Sequence, residues 1–246
     1  ARKISGESLK EMVTRTTFAA HRERHRYALN GALLVVKPDT IRMVATDGRR
    51  LALVEKKAQN PEDTDIEVIV PTKALEELVK VLGDDEDAEA DVLISLAGEE
   101  ENQLVAKTPR AVVATRLVEG HFPPYESVIP KDHDKKAEVD PGRFLAAVQR
   151  AAVMTTDEYS SVTVHFAAER LEVTAAAPDA GEAAVSMEAA YGGPELEISF
   201  NPAFLVDFLR VVEEERVRVE FRDPTSPVLF RGGKGFLYVL MPVSRQ

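Results

Sequence analysis

Ile66-Glu67-Val68-Ile69-Val70-Pro71 alternates apolar and other side chains with period two, and the apolar positions that follow, Leu75, Leu78, Val79 and Leu82, share one face at helical spacing. The stretch predicts a strand that runs directly into a helix. The same grammar returns far downstream. Leu196-Glu197-Ile198-Ser199-Phe200 alternates, Asn201-Pro202 supplies an N-cap and a first-turn proline, and Leu205, Phe208, Leu209 and Val212 form the stripe.

Both flanks repeat as well. Ile41, Met43 and Ala45 correspond to Leu171, Val173 and Ala175, each set alternating like a half-buried strand. Leu9, Met12, Val13 and Thr16 make a helical stripe that is mirrored by Phe144, Ala147, Val148 and Ala151 behind an Asp140-Pro141 start signal. Val92-Ile94-Leu96, Val217-Val219-Phe221 and Leu237-Val239-Met241 read as further strands. Two similar α+β domains are expected, over residues 1–130 and 137–246, with a polar linker at 131–136 inside the proline-bearing stretch from Pro130 to Asp140. Matched units of this kind stack into arcs or rings. If both helices of each unit lie on one side of its sheets, one surface of that assembly is helical.

Composition narrows the function. A 246-residue chain with 44% hydrophobic content can bury a sizeable core. It contains no cysteine, which removes disulfides, thiolate metal sites and cysteine nucleophiles and fits a reducing cytoplasm. Ala28 to Val36 is far shorter than a membrane span, and Ala1 to Lys10 has no apolar signal core, so an unexported protein is expected. The formal net charge of −11 argues against polyanionic partners, but the charge is unevenly placed. Acid gathers in Asp84-Asp85-Glu86-Asp87-Ala88-Glu89-Ala90-Asp91, Glu99-Glu100-Glu101 and Glu213-Glu214-Glu215, whereas base gathers in Arg22-Glu23-Arg24-His25-Arg26, Arg49-Arg50 and Lys56-Lys57. Such a chain can be acidic on one surface and basic on another.

Three segments bear on chemistry. Ala45-Thr46-Asp47-Gly48-Arg49-Arg50-Leu51-Ala52 joins two apolar runs through Asp-Gly, a turn dipeptide. It is either a plain hairpin turn or a turn that presents Thr46 and two arginines beside a groove. His21 and His25 stand four apart, but the arginines at 22, 24 and 26 would repel a cation, so a basic phosphate-facing loop is the better reading and no metal is expected. His121, His133 and His165 are isolated and read as surface or packing residues. Phe236-Leu237-Tyr238-Val239-Leu240-Met241-Pro242-Val243 stays apolar almost to the last residue, as a final core strand or as the wall of a hydrophobic ligand groove. No glycine-rich phosphate loop or metal-spaced cluster supports catalysis, which leaves a hydrolase using Asp47 and the 84–91 acids as a distant alternative.

Five anchors in order resemble one family. Residues 45–52 resemble the signature ATDGHRLA of the bacterial DNA sliding clamps, the beta subunits of the replicative polymerase; Tyr27-Ala28-Leu29-Asn30-Gly31 resembles YYLNG; Phe122-Pro123-Pro124-Tyr125 resembles FPDY; Phe200-Asn201 opens the matching helix; and Tyr238-Val239-Leu240-Met241-Pro242 resembles the YVVMP ending. The resemblance spans the chain and implies the DNA-clamp fold, with repeated domains that each pack two helices on antiparallel β-sheets, here the second and third of three. It further implies a non-catalytic processivity factor without cofactors, a homodimeric ring that surrounds duplex DNA without reading its sequence. The polymerase, the clamp loader and repair polymerases would be captured through short linear peptides.

On the same footing Arg22, Arg24, Arg26 and Tyr27 are expected to face DNA, and Val153 and Met154 to lie at the dimer interface. The peptide pocket is expected to draw Leu29, Thr46, Gly48, Arg49, Arg50, Leu51, Pro123 and Val128 from one half, and Asn201, Phe204, Val239, Leu240, Met241, Pro242 and Val243 from the other. Arg49 stands where histidine is common, Ala28 replaces the second tyrosine, Ser127 replaces an arginine, and Ser244-Arg245-Gln246 follow the usual ending. Lacking the family's first domain, the chain is expected not to close the usual ring. The competing expectation is a β-rich protein-binding scaffold without DNA association, which the acidic total favours.

Overall fold

The structure, a computed structural model, describes residues 2–21, 29–60, 65–83, 90–157, 160–178 and 181–243. It forms two compact units, Ala1–Pro124 and Tyr125–Gln246. The first runs β1 (Arg2–Ser5), α1 (Gly6–Thr16), a 3-10 turn (Thr17–Ala19), β2 (Gly31–Val36), β3 (Thr40–Thr46), β4 (Arg50–Lys57), β5 (Ile66–Pro71), α2 (Thr72–Leu82), β6 (Asp91–Ala97), β7 (Gln103–Lys107) and β8 (Val112–Arg116). The second runs a 3-10 turn (Tyr125–Val128), β9 (Lys135–Val139), α3 (Pro141–Ala152), β10 (Val162–Ala167), β11 (Arg170–Ala177), β12 (Gly181–Glu188), β13 (Leu196–Phe200), α4 (Pro202–Leu209), β14 (Val217–Phe221), β15 (Val228–Arg231) and β16 (Phe236–Leu240). Each unit is thus two βαβββ halves in tandem, a repeat finer than the one legible in the sequence.

The strands pair antiparallel throughout. In the first unit they run β5-β2-β3-β4 and β1-β6-β7-β8; in the second β13-β10-β11-β12 and β9-β14-β15-β16. Helix α1 packs on β3, β4 and α2, and α3 packs on β10, β11, β12 and α4, so within each unit the helices lie side by side. Their stripes explain this. Leu9, Met12, Val13 and Thr16 of α1 and Phe144, Ala147, Val148 and Ala151 of α3 are all buried, and burying each large apolar side chain contributes about 1.5–3 kcal/mol.

The expected start signals hold the helices in place. Asp140 accepts a hydrogen bond from the Arg143 amide at 2.9 Å and Asn201 from the Ala203 amide at 2.9 Å, each followed by proline in the first turn. Helix α4 is shorter than its stripe: it ends at Leu209, and Val212 lies beyond it.

Two details depart from the sequence reading. The units divide at Pro124 and Tyr125, ahead of the expected linker 131–136, and Lys135 and Lys136 of that stretch already belong to β9. Composition hid this strand because only Ala137 and Val139 point inward between charged neighbours. In β16 the inward face is Phe236, Tyr238 and Leu240, each fully buried, with Val239 also covered, whereas Leu237 is half-buried and Met241 is 42% exposed. A run that is apolar at every position carries no alternation from which to choose the core face.

Gly31 shows how tightly the first unit closes. A Cβ there would stand 2.6 Å from Ile69 Cγ2 and 2.7 Å from the Val70 carbonyl oxygen, both on the neighbouring β5. Gly31→Ala is expected to destabilise this unit by about 1–3 kcal/mol, read as a lower denaturant midpoint; an unchanged midpoint would show that β5 yields freely.

Candidate functional site

In the first unit the β3–β4 hairpin is built around Asp47 and Arg50. Asp47 Oδ1 accepts from the Arg49 amide at 2.9 Å and the Arg50 amide at 3.1 Å, while Thr46 Oγ1 donates to the Arg50 carbonyl at 2.6 Å and accepts from the Gly48 amide at 3.1 Å. Gly48 sits at φ 89°, a region open to glycine at low cost. The Arg50 guanidinium is buried, donating through Nε to Asp47 Oδ2 at 3.0 Å and through a terminal nitrogen to the Phe18 carbonyl at 2.8 Å, with its carbon 5.7 Å from the Phe18 ring centroid. Arg50 therefore fastens the turn to the 3-10 segment behind α1.

The expected residues of this unit consequently separate into two groups. Thr46, Arg50 and Leu51 are buried and shape the turn, whereas Gly48 and Arg49 are exposed at its tip. Leu29 is half-buried and Pro123 exposed. Phe18 is a member of this site that the sequence does not disclose, since no local pattern marks a carbonyl that meets an arginine 32 positions away.

In the second unit Asn201 caps α4, and the Phe204 carbonyl one turn on accepts a hydrogen bond from the Tyr238 hydroxyl at 2.9 Å. Tyr238 also stacks on Phe208 with ring centroids 4.8 Å apart and planes 5° from parallel. These contacts seat β16 against α4 and bury Val239 and Leu240 in the core. The chain then emerges: Met241 and Val243 are each 42% exposed, and Pro242 is half-buried between them. The Val243 amide donates to the Ser199 carbonyl at 2.8 Å, which pins this short apolar segment along β13. The ending is a core strand as far as Leu240 and an exposed apolar segment beyond it. Val128 is 50% exposed and Ser127 is exposed.

Beside Val243 lies a cavity of about 620 Å³ lined by His165, Glu195, Leu196, Glu197, Ser199, Pro224 and Thr225. Its Pro224-Thr225 wall hangs on Asp223. That carboxylate accepts from the Ser226 hydroxyl at 2.7 Å, the Thr225 amide at 2.9 Å, Arg222 Nε at 3.0 Å and the Thr225 hydroxyl at 2.9 Å, and these donors hold its pKa far below the usual carboxylate range. A folded-state pKa below the unfolded value, about 3.9, means that the contribution is complete above about pH 4 and is lost as pH falls through the folded value. Asp223→Asn is expected to flatten the acid limb of unfolding below about pH 4; superimposable acid limbs for the two proteins would remove Asp223 from the stability of this loop.

Arg22, Arg24, Arg26 and Tyr27 lie outside the described residues, as do His25 and most of the 84–91 acidic run. The His21 amide donates a hydrogen bond to the Leu29 carbonyl at 2.9 Å. Val153 is 72% exposed just past the end of α3, with Met154 half-buried beside it. Among the described residues no three His, Cys, Asp or Glu side chains gather to hold a metal, and no helix is long and apolar enough to cross a membrane.

Comparison with known proteins gives one answer. The family model for the central domain of the DNA polymerase III beta subunit matches residues 3–124, and that for its C-terminal domain matches residues 126–244. The beta sliding clamp of Pseudomonas putida is 35% identical over 242 residues, and that of Bacillus subtilis 31% identical over 245 residues, each alignment covering 98% of this chain. Among solved structures, the Pseudomonas aeruginosa DNA polymerase III subunit beta superposes with a TM-score of 0.91 at 33% identity over 99% of this chain and 66% of that one. The Bacillus subtilis DNA polymerase sliding clamp gives 0.93 at 30% identity over 100% of this chain and 64% of that one. The chain spans 64% of the length of the Pseudomonas putida relative and 63% of the Bacillus subtilis one.

Proposed function

Because the chain belongs to the DNA polymerase III beta-subunit family and carries its central and C-terminal domains, we propose that it works as part of a DNA sliding clamp, a non-catalytic cytoplasmic processivity factor. In this reading it helps to surround duplex DNA and tethers the polymerase, the clamp loader and repair polymerases through short apolar peptides. The observation that carries the reading is the match of both domain models along almost the whole chain, together with the same fold in solved clamps.

Sliding requires a weak grip that ignores base identity, which screened attraction between arginines and phosphates supplies. Arg22, Arg24, Arg26 and Tyr27 are proposed to provide it. The acidic remainder of the chain would keep DNA from adhering elsewhere. Alanine at the three arginines is expected to weaken duplex binding and to lower the slope of log affinity against log salt by roughly 0.9 for each phosphate that is no longer neutralised. Binding that ignores salt would sink the DNA reading and leave the protein-binding scaffold.

Peptide capture is proposed to use Gly48 and Arg49 at the hairpin tip and Met241, Pro242 and Val243 at the ending, supported within their own units by the buried Thr46, Arg50, Leu51, Val239 and Leu240 and the half-buried Asn201 and Phe204. Leu29, Pro123 and Val128 complete the set. Apolar walls supply affinity for leucine and phenylalanine, and polar rim groups set direction. The test is saturable binding of a fluorescent peptide of the glutamine-leucine-any-leucine-phenylalanine type that disappears when residues 241–246 are removed. Met241→Ala, which opens no core cavity, is expected to weaken it by more than about 1 kcal/mol, and equal affinity would take Met241 out of the site. Val153 and Met154 are proposed to lie between protomers of the intact protein.

A further inference from the structure

The cavity beside Val243 lies wholly within the second unit and joins two kinds of surface. Leu196, Pro224 and Val243 give it apolar walls, and Glu195 and Glu197 add carboxylates; among the described residues no lysine or arginine lines it. Glu195, Glu197 and Ser199 follow one another at every second position, so all three turn to one side of β13. His165 stands in register with Glu197 from the neighbouring β10, and its Nε2 lies 3.6 Å from a Glu195 carboxylate oxygen.

The walls are fixed from within the unit. The Ser199 carbonyl holds the Val243 amide at 2.8 Å, and the Asp223 carboxylate holds the Pro224-Thr225 wall, so a ligand entering here has little to reorganise. Apolar walls that end in carboxylates suit one kind of side chain. Lysine and arginine lay their methylene stems along apolar surface and keep the charged head at its rim. An acidic side chain would meet like charge. A metal ion is poorly served, since among the described residues no three His, Cys, Asp or Glu side chains gather to hold one. Position supplies the source of the cation: Val243 closes one side of the cavity and also ends the exposed apolar segment from Met241, so a peptide lying on that segment brings its flanking residues to the opening.

We propose that the cavity receives a lysine or arginine side chain that flanks the apolar motif of a captured peptide, with Glu195 and Glu197 as the residues that select it. The proposal rests on the reading of Met241 to Val243 as part of the peptide site, and it names the class of peptide which that site prefers. Because both acids are exposed, the attraction is screened and the preference weakens as salt rises.

Fluorescence anisotropy on the whole 246-residue chain tests it. Each peptide carries the glutamine-leucine-any-leucine-phenylalanine motif, flanked at both ends by lysine, by glutamine or by glutamate, so the direction of binding does not enter. At low salt the lysine-flanked peptide is expected to bind roughly threefold to tenfold tighter than the glutamine-flanked one, the size of a pair of exposed ion contacts, and the glutamate-flanked one more weakly than either. Glu195→Gln combined with Glu197→Gln is expected to abolish the preference for lysine over glutamine. Glu172→Gln combined with Glu182→Gln removes equal charge from β11 and β12 of the same sheet, outside the cavity, and is expected to keep it. Equal wild-type affinity for the lysine and glutamine peptides would overturn the proposal and leave the peptide site standing. A preference that the Glu172 and Glu182 pair diminishes just as much belongs to the general field of the chain and overturns it as well. Failure of all the peptides to bind overturns the proposal together with the reading beneath it.

Discussion

Arg50→Ala is expected to destabilise the first unit by about 3 kcal/mol and to abolish peptide capture, although Arg50 presents almost nothing to solvent. Its side chain is 7% exposed and joins Asp47 Oδ2 to the Phe18 carbonyl. Removing the guanidinium strands a nearly buried carboxylate and a carbonyl together, which costs far more than the intact pair contributes. The turn would then lose the strut that sets the direction of Gly48 and Arg49. Arg50→Lys separates charge from geometry: a lysine keeps the attraction to Asp47 but cannot serve both acceptors through a planar fork, and most of the loss should remain. Denaturant unfolding and peptide anisotropy on the same samples read both effects. Full peptide affinity in a destabilised Arg50→Ala protein would show that the hairpin tip takes no part in capture.

Phe208→Ala should unfold the second unit more readily by about 3–5 kcal/mol. Phe208 is fully buried and meets Phe230 and Phe236 with centroids 5.4 Å away, in addition to the stacked Tyr238. Offset and edge contacts of this kind add about 0.5–1.5 kcal/mol beyond the area they cover. The ring thus ties α4 to β15 and β16, the strand that delivers Met241 to Val243 to the surface. Tyr238→Phe serves as the comparison, since it keeps the stack and removes only the hydrogen bond to the Phe204 carbonyl, for about 1 kcal/mol. The loss should fall on one of two unfolding transitions, with the first unit unaffected. A loss shared equally by both transitions would contradict the assignment of this cluster to one unit.

The sequence by itself determined the parts of this protein that rest on local periodicity. The strand-to-helix passage at 66–82 and its copy at 196–212 are visible because one face of each element is buried, and selection for burial writes period two and then period 3.6 into the chain. Asp140-Pro141 and Asn201-Pro202 are legible because capping is satisfied within three residues. The family is legible because turn and ending are short contiguous strings. Tertiary structure alone decided what depends on distant partners. Leu237, Val239 and Met241 read as the alternating face of the last strand, yet Phe236, Tyr238 and Leu240 point inward, because only packing against α4 and β15 selects a side of a uniformly apolar run. Arg50, which reads as a groove residue, is a buried strut because the Phe18 carbonyl arrives from another element. Strand β9 and the βαβββ half-repeat are hidden in the sequence for a related reason: two inward residues leave too faint a pattern, and only the pairing of β9 with β14 makes them a strand.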